Sequence, residues 1–439
     1  MKSTIKNILF SSPAPIKKAA LKAAEALLYF KSLNAIKSEM VGKKSRSKNQ
    51  HDKPRILFYH VSGLSFAGTE KFLQVIAKHI DQTKYDVIYM YSPKPRASSG
   101  NIPLDGRKPY LEGQGIEFIE FDYDAIEQKN PYIVRGMKPS VFDVMAEKDI
   151  DLFVTAGSGH AEYPFNAIRN IPIVLINIFG SPSVQKNISM HISISKEVDG
   201  KISDVVPAEK RDVTYIQSER PDPSFKELGR ELRRKFGIKD TDTVFGRIGR
   251  ADDGIFDPIG IHAFAEVVKE HPDAHYIIMS PPPIVKEIVK KLNILNVYYC
   301  TPSAVINIQN VYYCTPSAVE ADVWAFHYSL DALAHFRLDG ESFGLNIAES
   351  MIAGNPIITH RSHIWNAHLE YLDPSFSFIA DKDDVHAYAS HMKKIIAAKK
   401  DGSINRMKEA AEETGSKMFI IDHSIRKIEA MIDNALTKK

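Results

Sequence analysis

The feature that most constrains this chain is an alternation of short apolar runs, suited to buried strands, with stretches patterned as helices. Residues 56–61 (Ile-Leu-Phe-Tyr-His-Val) open the series, followed by a Gly-containing loop and a helical stretch at 71–80. Residues 87–91, 116–121, 152–155 and 172–178 continue it. A second series starts at 244–249 and runs through 275–279 and 356–359. Short apolar strands separated by helices imply parallel sheets covered on both faces. The series breaks around residues 215–240, so we expect two consecutive α/β domains of the Rossmann-like kind facing a cleft. The expected boundaries are 54–217 and 218–415. A C-terminal helix at 416–439, carrying Ile420, Ile425, Ile428 and Ile432, should pack back toward the first domain. A length of 439 residues suits this division better than one large core.

Charge separates a further segment. Residues 1–53 hold twelve Lys or Arg against Glu25, Glu39 and Asp52, a surplus of nine in a chain whose total is +3. Residues 54–439 therefore sum to −6, and the body lacks the basic stripe that a nucleic-acid enzyme carries. Residues 14–40 read as a Lys- and Ala-rich amphipathic helix with Leu21, Leu27, Leu28, Phe30, Leu33 and Ile36 as apolar anchors. Residues 42–53 read as a flexible linker. Such a helix is either drawn to an anionic membrane surface by its lysines or is a solvated leader. Lysines interrupt its apolar stretch, so no secretory signal is expected, and no run approaches the ~18 apolar residues of a bilayer span. Cys300 and Cys314, the two cysteines, form no disulfide framework, which points to a reducing, cytoplasmic setting. Both sit in Asn-Val-Tyr-Tyr-Cys-Thr-Pro-Ser-Ala-Val, present at 296–305 and again at 310–319. Two copies are too few for a stacked repeat. One copy should be strand and the other an extruded loop.

The chemistry-bearing passage is Gly340-Glu341-Ser342-Phe343-Gly344-Leu345-Asn346-Ile347-Ala348-Glu349, running on to Gly354-Asn355-Pro356. Ser342-Phe343-Gly344 reads as a tight turn opening a helix at Leu345. A helix N-terminus offers unpaired N–H groups and a positive dipole end, which suits a diphosphate. Glu349 lies about a turn into that helix, where a carboxylate can accept from two vicinal ribose hydroxyls. Glu341 precedes the turn, on the side where a phosphate-linked sugar would sit. Gly354 reads as the C-terminal stop.

This passage resembles the E-x(7)-E signature of retaining GT-B glycosyltransferases, and Gly354-Asn355-Pro356-Ile357-Ile358 is similar to that family's G-x-P-V-I. Ala67-Gly68-Thr69-Glu70 is similar to the family's G-G-x-E loop, with only Gly68 carrying over. Gly246-Arg247-Ile248-Gly249-Arg250 resembles its strand-end G-R, in which Arg250 would bind the departing phosphate. The lysine that the family supplies later is absent from Asp252-Asp253-Gly254-Ile255-Phe256-Asp257; either Arg247 substitutes for it, or phosphate stabilisation is weaker, or the chain lacks activity. Gly157-Ser158-Gly159-His160 follows the strand at 152–155, where the family carries a histidine near the sugar, which makes His160 the match.

The resemblance implies a two-domain transferase, with the acceptor on 54–217 and the donor on 218–415. It implies no cofactor and no catalytic metal, a UDP- or GDP-linked sugar as donor, and transfer with retention to a hydroxyl on a glycan, lipid or small molecule. Glu341 would hold the sugar and Glu349 the ribose. Arg247, Arg250, Ser342, Phe343, Gly344 and Leu345 would cradle the diphosphate. Two alternatives share the motifs: a catalytically inactive glycosyltransferase-like binding protein, and a GT-B-fold sugar-nucleotide epimerase. A dinucleotide-dependent oxidoreductase fits less well, since Gly157-Ser158-Gly159 lacks a third glycine. A metal-dependent GT-A enzyme would need an Asp-x-Asp such as Asp149-Ile150-Asp151 or Asp122-Tyr123-Asp124, but the element order opposes it.

Overall fold

A computed structural model describes residues 12–39, 52–94, 104–123, 136–159, 164–300 and 320–437. The chain forms two compact units, one comprising residues up to Gln217 together with those from Ser424, the other Ser218–His423.

The first unit is built on seven parallel strands: β1 (Arg55–Tyr59), β2 (Asp86–Tyr91), β3 (Glu117–Glu120), β4 (Leu152–Gly157), β5 (Ile173–Asn177), β6 (Ile188–Ser193) and β7 (Arg211–Val213). Their order is β3-β2-β1-β4-β5-β6-β7. β4, β5 and β6 are buried along their whole length. The alternating Ile-Ser-Met-His-Ile-Ser of β6 disguised it, because such alternation usually marks a half-exposed strand. Here the polar positions Ser189, His191 and Ser193 are buried as well.

Two helices from the chain ends belong to this unit. α1 (Ala14–Glu39) is held by polar contacts and by Tyr29, which packs against the core of this unit. Lys17 Nζ pairs with Asp204 at 2.8 Å, and Glu25 accepts from Ser183 Oγ at 2.6 Å and Val184 N at 2.9 Å. Leu27, expected as an apolar anchor, is 56% exposed. The side chains of Leu28, Phe30, Leu33 and Ile36, and the linker up to residue 51, lie outside the described residues. The C-terminal helix Ile425–Thr437 is tied to the same unit. Its Asp433 accepts from Tyr85 Oη at 2.6 Å, and its Glu429 accepts from Asp81 N at 2.8 Å. Between Gly68 and His79 runs α2, whose Phe72, Leu73, Val75 and Ile76 cover the sheet.

The second unit has a six-stranded parallel sheet: β8 (Thr243–Ile248), β9 (Ala274–Met279), β10 (Val297–Cys300), β11 (Ala332–Ala334), β13 (Ile357–His360) and β15 (Ser377–Ala380). The order is β10-β9-β8-β11-β13-β15, so the direction of winding reverses between β8 and β11. β12 (Gly340–Glu341) and β14 (Trp365–Asn366) form a separate parallel pair above these strand ends. The first copy of the repeated phrase supplies the edge strand β10; the second, at 310–319, lies outside the described residues.

A buried ionic hub fixes the helices to this sheet. Asp331 leads into β11 and accepts from Arg233 Nη2 at 2.6 Å, Lys399 Nζ at 2.8 Å and Val244 N at 2.9 Å. Burial alone would raise its carboxyl, but the surrounding Lys408, Arg233 and Lys399 hold it down at about 2. The helix Ile404–Phe419 ends this unit's helical layer, so the expected boundary at 415/416 falls inside it.

Candidate functional site

In an open parallel sheet, ligands bind outside the carboxyl ends of the strands, where the winding reverses. In the second unit that point lies between β8 and β11. Three segments converge there: the end of β8, the residues after β11, and the turn into helix α10 (Leu345–Ile352).

The turn depends on two glycines. Gly340 has φ +69°, and a Cβ there would lie 1.8 Å from the Trp365 carbonyl oxygen, inside the β12–β14 pair. Gly344 caps α10 with φ +93°, a conformation that costs little only without a Cβ. Phe343 anchors the turn, its ring packed on Tyr371 and Phe419 with centroids 5.6 Å away in each case. No side chain caps α10. The amides of Ile347 and Ala348 are taken by Gly344 O, whereas those of Leu345 and Asn346 make no hydrogen bond to a described residue. Asn346 instead uses its side chain, donating from Nδ2 to Ile248 O at 2.8 Å, which ties the mouth of α10 to the end of β8.

The two candidate arginines differ in burial. Arg247 shares a face of β8 with Phe245 and is 3% exposed, whereas Arg250, beyond the strand, is exposed. The Arg247 guanidinium lies 5.2 Å from the Phe256 ring centroid and 5.1 Å from that of Phe336. Its only protein hydrogen bond among the described residues is a long one, Nε to Phe336 O at 3.5 Å, and Nη1 is buried without a partner. Burial lowers its pKa to about 10, with Tyr276 and Glu341 opposing, so it remains cationic at neutral pH. Glu341 is the carboxylate that acts on it, yet among the described residues Arg247 makes no ion-pair contact, and burying such a cation costs several kcal/mol. Gly249 leaves room above it: a Cβ there would touch the guanidinium at 3.3–3.4 Å.

Glu341 stands beside these groups, and a Cβ on Gly344 would lie 3.4 Å from its Cγ. Its Oε1 receives a hydrogen bond from His335 Nε2 at 3.1 Å, and its Oε2 lies 3.5 Å from Arg337 Nη1. Burial would raise the Glu341 carboxyl, but His335, Arg337 and His368 hold it below the ordinary carboxylate value. Arg337 is in turn aligned by Asp339, with Nε–Oδ1 at 2.5 Å. Glu349 sits on the buried side of α10, 5% exposed, with Oε1 3.4 Å from Ser218 Oγ and Oε2 3.8 Å from His327 Nε2. Ser342 and Leu345 are half-buried at the helix mouth.

The structure thus brings Glu341, Arg247, Ser342, Phe343, Gly344 and Leu345 together in the second unit and leaves Arg250 on the surface. Gly68 belongs to the first unit, as the first residue of α2. His160 lies outside the described residues, although Gly159 before it is locked against Ser181 O and Asn177. Sequence reading missed His335, Arg337, Thr359 and His368. The first two follow a three-residue strand too short to register as one; the apolar Ala332-Leu333-Ala334 before them was the available signal. Among the described residues no three His, Cys, Asp or Glu side chains are grouped to hold a metal ion.

Two wound parallel sheets, with a helix mouth and a strand-end cation at the second sheet's reversal point, define the GT-B glycosyltransferase fold. A glycosyltransferase from Rickettsia africae superposes with a TM-score of 0.63 at 15% identity, covering 89% of this chain and 100% of that one. HepE from Anabaena, solved in complex with UDP and glucose, gives 0.60 at 18% identity, covering 87% and 99%. Sucrose-phosphate synthase from Thermosynechococcus elongatus gives 0.60 at 12%, covering 88% and 100%. At these identities the likeness is one of fold. No protein-family model and no curated protein matches the chain.

Proposed function

We propose that this protein is a glycosyltransferase that takes a sugar from a nucleotide-sugar donor, held by its second unit, and passes it to a hydroxyl acceptor with retention of configuration. One observation carries this reading. Arg247 is a buried cation with no ion-pair contact and an unsatisfied Nη1 among the described residues, and it shares the strand-end region with a helix mouth offering two uncommitted amides. That combination suits a diphosphate. Glu341 lies alongside, an ionised acceptor for sugar hydroxyls, and Glu349 would take the ribose. HepE was solved with UDP and with UDP-glucose, which makes a uridine donor the first to test, ahead of a guanosine one.

In this reading, which follows the resemblance to retaining GT-B enzymes, the acceptor hydroxyl would attack on the face that the nucleotide leaves. The departing phosphate oxygen would help to take its proton. The chain's own task is positioning and stabilisation of the charge that grows on the leaving diphosphate. Arg247 does this with little reorganisation, since it is already buried beside the edge-to-face pair Phe256 and Phe336, and it stands in for the lysine absent from 252–257.

The test is nucleotide release from a panel of UDP- and GDP-sugars, with and without hydroxyl acceptors, in the intact chain and in Arg247→Met. Loss of one preorganised donor costs on the order of 10²–10³ in kcat, and a fall of that size is expected. Tight nucleotide binding with no turnover on any acceptor would favour an inactive binding protein. Interconversion of the donor sugar without an acceptor would favour an epimerase. For α1 we propose an anionic membrane surface as partner, through the exposed Lys18 and Lys22, with exposed Ile16 and Leu27 on the other face of the helix.

A further inference from the structure

Behind Glu341 lies a buried file of polar side chains to which the reaction just described assigns no task. His335 Nδ1 is 3.3 Å from Thr359 Oγ1, and Thr359 Oγ1 is 3.3 Å from His368 Nε2. All three residues are at most 3% exposed, and the two imidazole centroids are 5.9 Å apart. They come from three elements: the end of β11, the end of β13 and the 3-10 turn Ala367–Glu370.

The hydrogens in this file can be assigned in one direction only. An ionised Glu341 has no proton to give, so His335 must donate from Nε2. A neutral imidazole that donates from Nε2 presents a lone pair at Nδ1. Among the described residues the group in reach of that lone pair is the Thr359 hydroxyl, which therefore donates to it. The Thr359 oxygen then accepts from His368 Nε2–H. Burial keeps both imidazoles neutral by lowering their proton affinity, His368 to about 3. Every donor in the file thus points toward one carboxylate oxygen.

We infer that His335 is a positioning residue, and that the Thr359–His368 pair fixes its tautomer so that it holds the Glu341 carboxylate ionised and in one orientation toward the donor sugar. The inference rests on the reading of Glu341 as the sugar contact. It adds that the contact is set from behind, by residues that never touch substrate. The other charged or titratable groups acting on this carboxylate are Arg337, carrying Asp339 and near Asp252, then Arg247 from β8 and His368; His360, itself 3.7 Å from Asp257, acts on the two imidazoles. None of them engages Oε1, so losing His335 frees that oxygen alone.

The experiment compares His335→Phe, His335→Gln and Thr359→Val in the full-length protein. Three quantities are read: kcat with saturating UDP-sugar, affinity for free UDP, and the titration of the Glu341 carboxyl followed by carbon-13 NMR, with Glu341→Gln identifying the resonance. His335→Phe should lower kcat at least tenfold and leave UDP affinity within about twofold. It should also move the Glu341 titration, and with it the acid limb of the pH profile, upward by about one pH unit. His335→Gln, whose amide can still donate to Oε1, should recover most of kcat and return the titration toward that of the parent. Thr359→Val, which frees the tautomer, should fall between the two.

An unchanged Glu341 titration in His335→Phe would overturn the inference. So would equal losses in the Phe and Gln variants, with UDP affinity falling alongside, since that pattern belongs to a packing role. The NMR arm does not depend on turnover. Should the protein prove to have no transferase activity, the proposed function fails on its own, and the coupling between His335 and Glu341 is still decided.

Discussion

At the residue scale, the site contrasts two glutamates on either side of one helix mouth. Glu341 is half-buried and engaged through both oxygens, whereas Glu349 is buried against Ser218 and His327. If Glu349 takes the ribose, a group shared by donor and free nucleotide, then Glu349→Gln should weaken both about tenfold or more. That follows from losing one charge-assisted hydrogen bond, on the order of 1.5–3 kcal/mol. The glutamine keeps the volume of a buried side chain, so the change isolates the charge. Glu341→Ala should cut turnover sharply and leave free nucleotide affinity nearly unchanged. Calorimetric titration of UDP beside turnover rates separates the two. Loss of UDP binding in Glu341→Ala alone would reverse the polarity of the cradle.

At the element scale, the duplicated phrase occupies a tolerant position. β10 is an edge strand, so it pairs on one side only, with β9. Its Tyr298 ring stacks on Phe236 at 5.0 Å, and its hydroxyl meets His275 Nδ1 at 3.1 Å. Removing residues 296–309 gives the same chain as removing 306–319, because the two copies are identical. The copy that remains carries the same Tyr-Tyr pair into the same strand slot, following the same helix Pro283–Lys291. Shortening a connection of this kind changes loop entropy by only about 1 kcal/mol. The deletion should therefore express in soluble form, keep its melting temperature within a few degrees and bind nucleotide as the parent does. Insoluble expression would show that both copies are structurally required.

At the scale of the whole molecule, buried neutral histidines make stability depend on pH. His191, in β6 of the first unit, is lowered to about 4 by burial and by Lys210, and its Nδ1 has no partner among the described residues. Since the folded value lies below the unfolded one, near 6.5, the unfolded chain takes the proton first. The stabilisation is complete above pH ~6.5 and is lost as pH falls toward 4, on the order of 3 kcal/mol for this group. Urea unfolding at pH 7 and pH 4.5 should show the loss, and His191→Leu should flatten it. Truncation of residues 1–50 tests the other end of the chain. It should abolish co-sedimentation with anionic vesicles while leaving turnover of a soluble acceptor intact, and equal sedimentation of both forms would reduce α1 to a packed leader. Sequence alone determined the parallel α/β character and the break near residue 217, because apolar strand runs and helical periodicity are local patterns. It also determined the turn Gly340–Gly344, since glycine takes the positive φ of both positions at the least cost. Tertiary structure decided which arginine is buried, because Arg247 lies within β8 while Arg250 lies beyond its end on the surface. It also decided that a short strand, Ala332–Ala334, would deliver His335 to Glu341 in front of Thr359 and His368. Those partners are separated along the chain by up to thirty-three residues and meet only where parallel strands end side by side.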